Sequence, residues 1–151
     1  MDTWKNNNFV ISTKKELLDI ITIHHFLSND SYWSKGITRE KVVKSIKNIP
    51  LCFGIYETSP SGMYKQAGFG RVITDLTTFG YLSDVFVLPA YRGKGLSKWL
   101  VEVITEQEDL LEVRRLMLAT HDAHSLYAGY GFVQLDQPLH FMEKRNKILK
   151  S

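Results

Sequence analysis

Tyr81-Leu-Ser-Asp-Val-Phe-Val-Leu-Pro-Ala-Tyr-Arg-Gly-Lys-Gly-Leu-Ser97 carries a strand, a glycine-rich basic turn and the start of a helix in one run. The first part is apolar on both faces, with Val85 and Val87 on one side and Leu82 and Phe86 on the other. That pattern predicts an interior strand covered from both sides. Pro89 stops it, because proline cannot donate to a sheet ladder. Beyond the turn, Leu96, Trp99, Leu100, Val103 and Ile104 recur at helical spacing, while Lys98, Glu102 and Glu106 point elsewhere, which predicts an amphipathic helix running to about Glu108. Gly93 and Gly95 let backbone pack where a side chain would obstruct a ligand. The first amides of such a helix are unpaired and carry its positive dipole end, and Arg92 and Lys94 add two formal charges beside them. A strand that delivers this turn to a helix start is a ready phosphate cradle, although the same arrangement also serves as a plain connector. It is not a Walker P-loop, because Gly95 follows Lys94, and it lacks the Gly-x-Gly-x-x-Gly of a dinucleotide fold.

The rest of the chain sets bounds on what this stretch can serve. Its 151 residues fit one domain with a real core; residues 1–143 read as that domain and 144–151 as a basic tail, solvated rather than a nucleic-acid arm. A net charge of +3 without a basic stripe favours small anionic molecules over nucleic acid. The single cysteine, Cys52, lies between Leu51 and Phe53, so it reads as a buried hydrophobe in a reducing compartment. No apolar run is long enough to span a bilayer and no signal peptide is evident, so a cytoplasmic protein is expected.

In chain order, Asn8 to Ser12 predicts a first strand, and Thr13 opens a helix with Glu16 at the capping-box position. Leu17, Ile20, Ile21, His24 and Leu27 would trace its buried face. The neighbouring His24 and His25 point apart on a helix and make no metal pair. Tyr32 and Trp33 sit on a polar loop, as hydrophobic pegs or as pocket walls. A second helix spans Thr38 to Lys47, and strands follow at Leu51–Glu57 and Met63–Thr74, joined by the Thr58-Ser-Pro-Ser-Gly62 turn. Gly68 and Gly70 suggest a bend, a bulge or a close backbone approach. After the central helix, Arg115 to Ala119 reads as a buried strand. Asp122 is placed to cap a short helix carrying Ala123, Leu126 and Tyr127, and Gly131 ends it before strands at Phe132 and Leu139–Glu143.

Two segments carry a resemblance. Arg92-Gly-Lys-Gly-Leu-Ser97 is similar to the acetyl-CoA loop, Gln/Arg-x-x-Gly-x-Gly/Ala, of the GCN5-related N-acetyltransferases (GNAT), with Ser97 where Gly or Ala is usual; its hydroxyl is placed to serve the pyrophosphate or to cap the helix. Ala123, Leu126, Tyr127, Gly131 and Phe132 match that family's Asn-x-x-Ala-x-x-Leu-Tyr-x-x-x-Gly-Phe segment, with Thr120 in the asparagine position. The run Thr120-His-Asp-Ala-His124, with Asp75 and Asp84 upstream, is similar to a bacterial subgroup of small acetyltransferases whose substrates are mostly unassigned.

The resemblance implies a mixed α/β GNAT-like fold: a mostly antiparallel twisted sheet of six to seven strands flanked by about four helices. It implies acetyl-CoA as cofactor, held through Phe86, Val87, Arg92, Gly93, Lys94, Gly95, Leu96, Ser97, Thr120 and Tyr127. The β-strand through Phe86 and Val87 would align the pantetheine arm, and Tyr127 would protonate the leaving sulfur, since a tyrosine hydroxyl donates while neutral. Amine attack also needs a base. The usual glutamate position holds Ser83, which leaves Asp84 first among candidates, followed by Asp75, His121, His124 or water. Tyr32, Trp33, Asp75 and Phe79 would wall an acceptor site suited to a small amine or amino acid-like molecule, and a homodimer is common in the family. A non-catalytic acyl-CoA sensor is the alternative that Ser83 and Thr120 leave open.

Overall fold

The computed structural model describes residues 2–147. Its sheet has six strands in the spatial order β1-β2-β3-β4-β5-β6. Strands β1 (Thr3–Asn6) and β2 (Phe9–Ser12) form a hairpin on a two-residue turn where Asn7 takes a φ of 54°. Asparagine accepts that left-handed geometry more readily than most residues. β1 was not expected from the sequence; its edge position leaves it without a two-faced apolar signature.

β3 (Leu51–Thr58), β4 (Tyr64–Thr74) and β5 (Phe79–Val87) continue the antiparallel meander. β6 (Arg115–Met117) pairs with β5 in parallel, which makes the sheet mixed. Alternation along β3 separates two cores. Leu51, Phe53 and Ile55 pack with α3 (Leu96–Thr105), α4 (Glu108–Leu111) and Tyr127 of α5 (His124–Ala128). Cys52 packs on the other face with Phe69, Phe86 and the buried residues of α1 (Ile20–His25) and α2 (Arg39–Lys47).

Several expectations change. The first helix does not open at Thr13: a short 3-10 turn at Lys15–Leu17 precedes α1, whose N-cap is Asp19, accepting from the Thr22 amide at 3.2 Å. The later start resets the helical phase, so Ile23, Phe26 and Leu27 are buried while Ile21 is 67% exposed. The central helix ends at Thr105, and α4 begins only at Glu108. Among the described residues no strand follows β6. Pro138 instead opens a 3-10 turn, Pro138–His140, a position that suits its fixed φ. Phe141 then rests under the Arg115 guanidinium at 4.7 Å while Val133, Leu139 and Met142 stay exposed. Of the expected basic tail, 148–151 lies outside the described residues.

Candidate active site

β5 and β6 are in register only from Phe79–Tyr81 against Arg115–Met117, and then they separate. A cleft of about 810 Å³ opens between Leu82–Val87 and Leu118–Ala123. Phe26, Asp30, Tyr32 and Trp33 wall it from the segment after α1, and Arg92 of the glycine turn, Ser97 of α3, Tyr127 of α5 and Arg145 complete the lining. The cleft is therefore the place where a parallel strand pair stops.

A bulge shapes its β5 wall. Phe86 faces Phe69 and Ser83 faces Arg71, so Asp84 and Val85 of β5 stand against Gly70 alone. Asp84 takes a φ of 56°, in the left-handed region. The extra residue reverses the faces: Leu82 joins the core under α3, and Phe86 joins the one under α1 and α2, stacked on Phe26 at 4.1 Å. The expectation that Leu82 and Phe86 share a face fails for that reason. Gly68 answers the question raised by the sequence, because a Cβ there would lie 2.8 Å from the Phe86 carbonyl oxygen.

The Asp84 side chain, 5% exposed, has both oxygens engaged. Trp33 Nε1 donates to Oδ1 at 2.7 Å, and Arg71 Nε donates to Oδ2 at 2.7 Å as an ion pair. The neighbouring loop reaches the opposite wall as well: the Tyr32 hydroxyl accepts from the His121 amide at 3.0 Å. Tyr32 and Trp33 are thus pocket walls, not pegs.

At the far end of β5, Arg92 Nε donates to the Val87 carbonyl at 3.1 Å and fastens the turn to the strand. Gly93 and Gly95 have φ of 80° and 77°, and a Cβ on either would meet nothing within 4 Å. Glycine is required there by conformation, and the space above the turn is open. Gly95 is the N-cap of α3 and brings no side chain to its first amides. Ser97 lies inside the helix rather than capping it. Leu96 is buried in the core, so it could offer a ligand only its backbone.

Tyr127 is buried against Phe132, edge to face at 5.7 Å. Burial pushes its hydroxyl pKa up to about 12, with smaller contributions from Tyr32 and Asp122. Thr120, not Asp122, holds the turn into α5, its Oγ1 accepting from the Ala123 amide at 3.0 Å.

Of the expected site residues, Tyr127, Asp84, Phe86, Val87, Arg92, Ser97, Thr120, Tyr32 and Trp33 line the cleft. Gly93, Lys94, Gly95 and Leu96 form the turn beside it. Asp75 and Phe79 do not line it: they belong to the β4–β5 turn, where Asp75 accepts from the Thr77 and Thr78 amides at 2.9 and 2.7 Å and from the Thr78 hydroxyl at 2.6 Å. Those bonds hold its carboxyl well below the usual range. His121 lines the cleft, and His124 does not. His24 bonds the Ile37 carbonyl at 2.9 Å, a structural tie, and no metal-binding cluster exists among the described residues. Arg71, Phe26 and Asp30 were missed, as was Arg145, read as part of a solvated tail but lining the cleft. Arg71 was findable, since counting back across the turn from Thr74 opposite Gly80 places it opposite Ser83.

Comparison with known proteins bears on this geometry. The family model for the acetyltransferase (GNAT) domain matches residues 52–134. This chain belongs to the GNAT acetyltransferase family. A crystal structure of a GNAT-family protein from Xanthomonas campestris is similar at 44% identity and a TM-score of 0.84, covering 95% of this chain and 96% of that one. A Gibberella zeae protein named as an acetyltransferase is 33% identical over 138 residues, 82% of this chain and 78% of that protein. A Mycobacterium tuberculosis protein solved with CoA shares the fold, with a TM-score of 0.65 at 16% identity over 83% of this chain and 72% of that one. The mixed sheet and its parting strands are thus the GNAT fold, in a chain whose family transfers acetyl groups. Among the described residues no helix is long and apolar enough to cross a membrane.

Proposed function

We propose that the protein is an N-acetyltransferase that moves an acetyl group from acetyl-CoA to the primary amine of a small or amino acid-like acceptor by direct attack. One observation carries this: a buried tyrosine lines a cleft that ends beside an open glycine turn at a helix start. The donor set fits an acyl-CoA. The uncapped amides of α3 and the lining side chains of Arg92 and Ser97 suit a pyrophosphate. The bulged backbone of Asp84–Val85, outside the β4–β5 register, offers polar groups to a pantetheine arm. When bound, acetyl-CoA supplies an activated acetyl thioester.

The residues divide the remaining work. Tyr127 donates a proton to the departing sulfur, and its raised pKa keeps that proton in place at neutral pH. Both Asp84 oxygens are already engaged by a guanidinium and an indole N–H, which leaves the carboxylate occupied as a clamp rather than free to meet the amine. The amine's proton passes instead to His121, the imidazole in the cleft wall, directly or through water. Asp30 and Asp122 line the cleft with Phe26, Tyr32 and Trp33, and although Arg145 lines it too, the two carboxylates and three aromatics support a cationic amine as acceptor rather than nucleic acid.

Calorimetry with acetyl-CoA tests the cofactor, with Arg92→Glu as the control. Saturable binding lost in the control supports the reading, and no binding by the wild type removes it. Thiol release across an amine panel then tests turnover; binding without release for any amine would leave an acyl-CoA sensor instead.

A further inference from the structure

Three elements meet at the Asp84 carboxylate: the loop after α1 through Trp33, β4 through Arg71, and the bulge of β5 itself. We infer that Asp84 is a positioning residue, whose two clamped oxygens hold the β5 bulge open and lock the acceptor loop to it. This rests on the cleft being the acyl-CoA and acceptor site. The argument is geometric. A non-glycine residue at φ 56° in a strand is strained and persists only when its surroundings over-determine it. Here the surroundings are two hydrogen bonds of 2.7 Å, one of them an ion pair with Arg71, which is itself only 15% exposed. Relaxing Asp84 into extended geometry would pull its carboxylate from both donors and close the register against Gly70. The wall presented to the ligand would change with it. Trp33 adds the second coupling, since its ring packs toward Phe26 at 6.3 Å, and Phe26 stacks on Phe86 just beyond the bulge.

The test combines a spectroscopic signature with cofactor binding. In nitrogen–proton correlation spectra of the free protein, Trp33→Phe assigns the Trp33 indole signal among three tryptophans. Asp84→Asn and Arg71→Met should each shift that signal and speed its exchange. An indole signal indifferent to both overturns the inference, whatever the protein catalyses. In calorimetry with acetyl-CoA, Asp84→Ala should weaken binding at least about tenfold. Asp84→Gly, which tolerates the positive φ, should recover most of that loss although it makes neither hydrogen bond. Equal weakening in the Gly and Ala variants, or none in either, overturns the positioning role. If the wild type itself binds no acetyl-CoA, the functional proposal fails while the indole signal still decides the clamp.

Discussion

Replacing Tyr127 by Phe removes one hydroxyl and keeps the ring that meets Phe132 edge-on at 5.7 Å. The fold should barely notice: one lost polar group offset by easier burial keeps stability within about 1 kcal/mol of wild type. Catalysis should notice. A positioned general acid contributes roughly 10² to 10⁴ in rate, so kcat should fall at least about a hundredfold, or about 2.7 kcal/mol of barrier. Acetyl-CoA affinity should hold. The pH dependence makes the test sharper. Burial holds the hydroxyl to about 12, so it stays a donor across the whole neutral range and leaves no alkaline limb there. The Phe variant should therefore give a profile of the same shape at lower height. Steady-state thiol release from about pH 6 to about pH 10 measures both quantities. A variant with unchanged kcat, or one that loses an alkaline limb present in the wild type near pH 8 to 9, would refute the acid assignment.

Further outcomes follow from other sites. Gly95→Ala places a left-handed φ of 77° on a residue with a Cβ but meets no atom within 4 Å; urea unfolding should show a cost of about 1 kcal/mol, and calorimetry a loss of acetyl-CoA affinity. Tyr56→Phe removes a buried hydroxyl that has no hydrogen-bond partner among the described residues, so it should stabilise by about 1 kcal/mol in the same assay. Cys52 is 1% exposed, and burial raises its thiol to about 11, so an aromatic disulfide reagent at neutral pH should label it only as fast as the protein opens. The folded pKa of Tyr127 lies above its unfolded value of about 10, so its contribution is complete below that value and is lost as pH rises toward about 12. Alkaline denaturation should be correspondingly shallower in Tyr127→Phe.

The architecture was legible where period and punctuation agree. The Thr58–Gly62 turn, the Pro89 stop and the apolar spacing from Leu96 to Ile104 each leave a local mark, and the order β3-β4-β5-α3 followed from them. The early helix was misread because Thr13 with Glu16 imitates a capping box, while the working cap is Asp19, whose oxygen reaches Thr22 only once the chain has turned. The C-terminal strands were misread because an apolar run such as Leu139–Met142 shows hydrophobicity without a partner; β6, three residues long, offers it little edge. Asp75 was placed in the pocket on its charge, yet its turn consumes that charge through local amides, a competition that Asp and Asn win often.

The bulge marks the limit of reading from alternation. Strict period two would put Asp84 and Ser83 on opposite faces of the strand, only one of them toward the cleft. With one added residue against Gly70, both line it. Nothing in Leu82–Phe86 alone announces the insertion, because its cause is distributed: Gly70 across the ladder, Arg71 beside it and Trp33 from fifty-one positions earlier. The same insertion, together with a parallel pairing to β6 that lasts three residues, is what parts the strands. A continuous ladder there would leave no cleft between Leu82–Val87 and Leu118–Ala123. The stretch from Tyr81 to Ser97 thus builds one wall of the cleft and the glycine turn beside it, but it does so only with residues its own sequence does not contain.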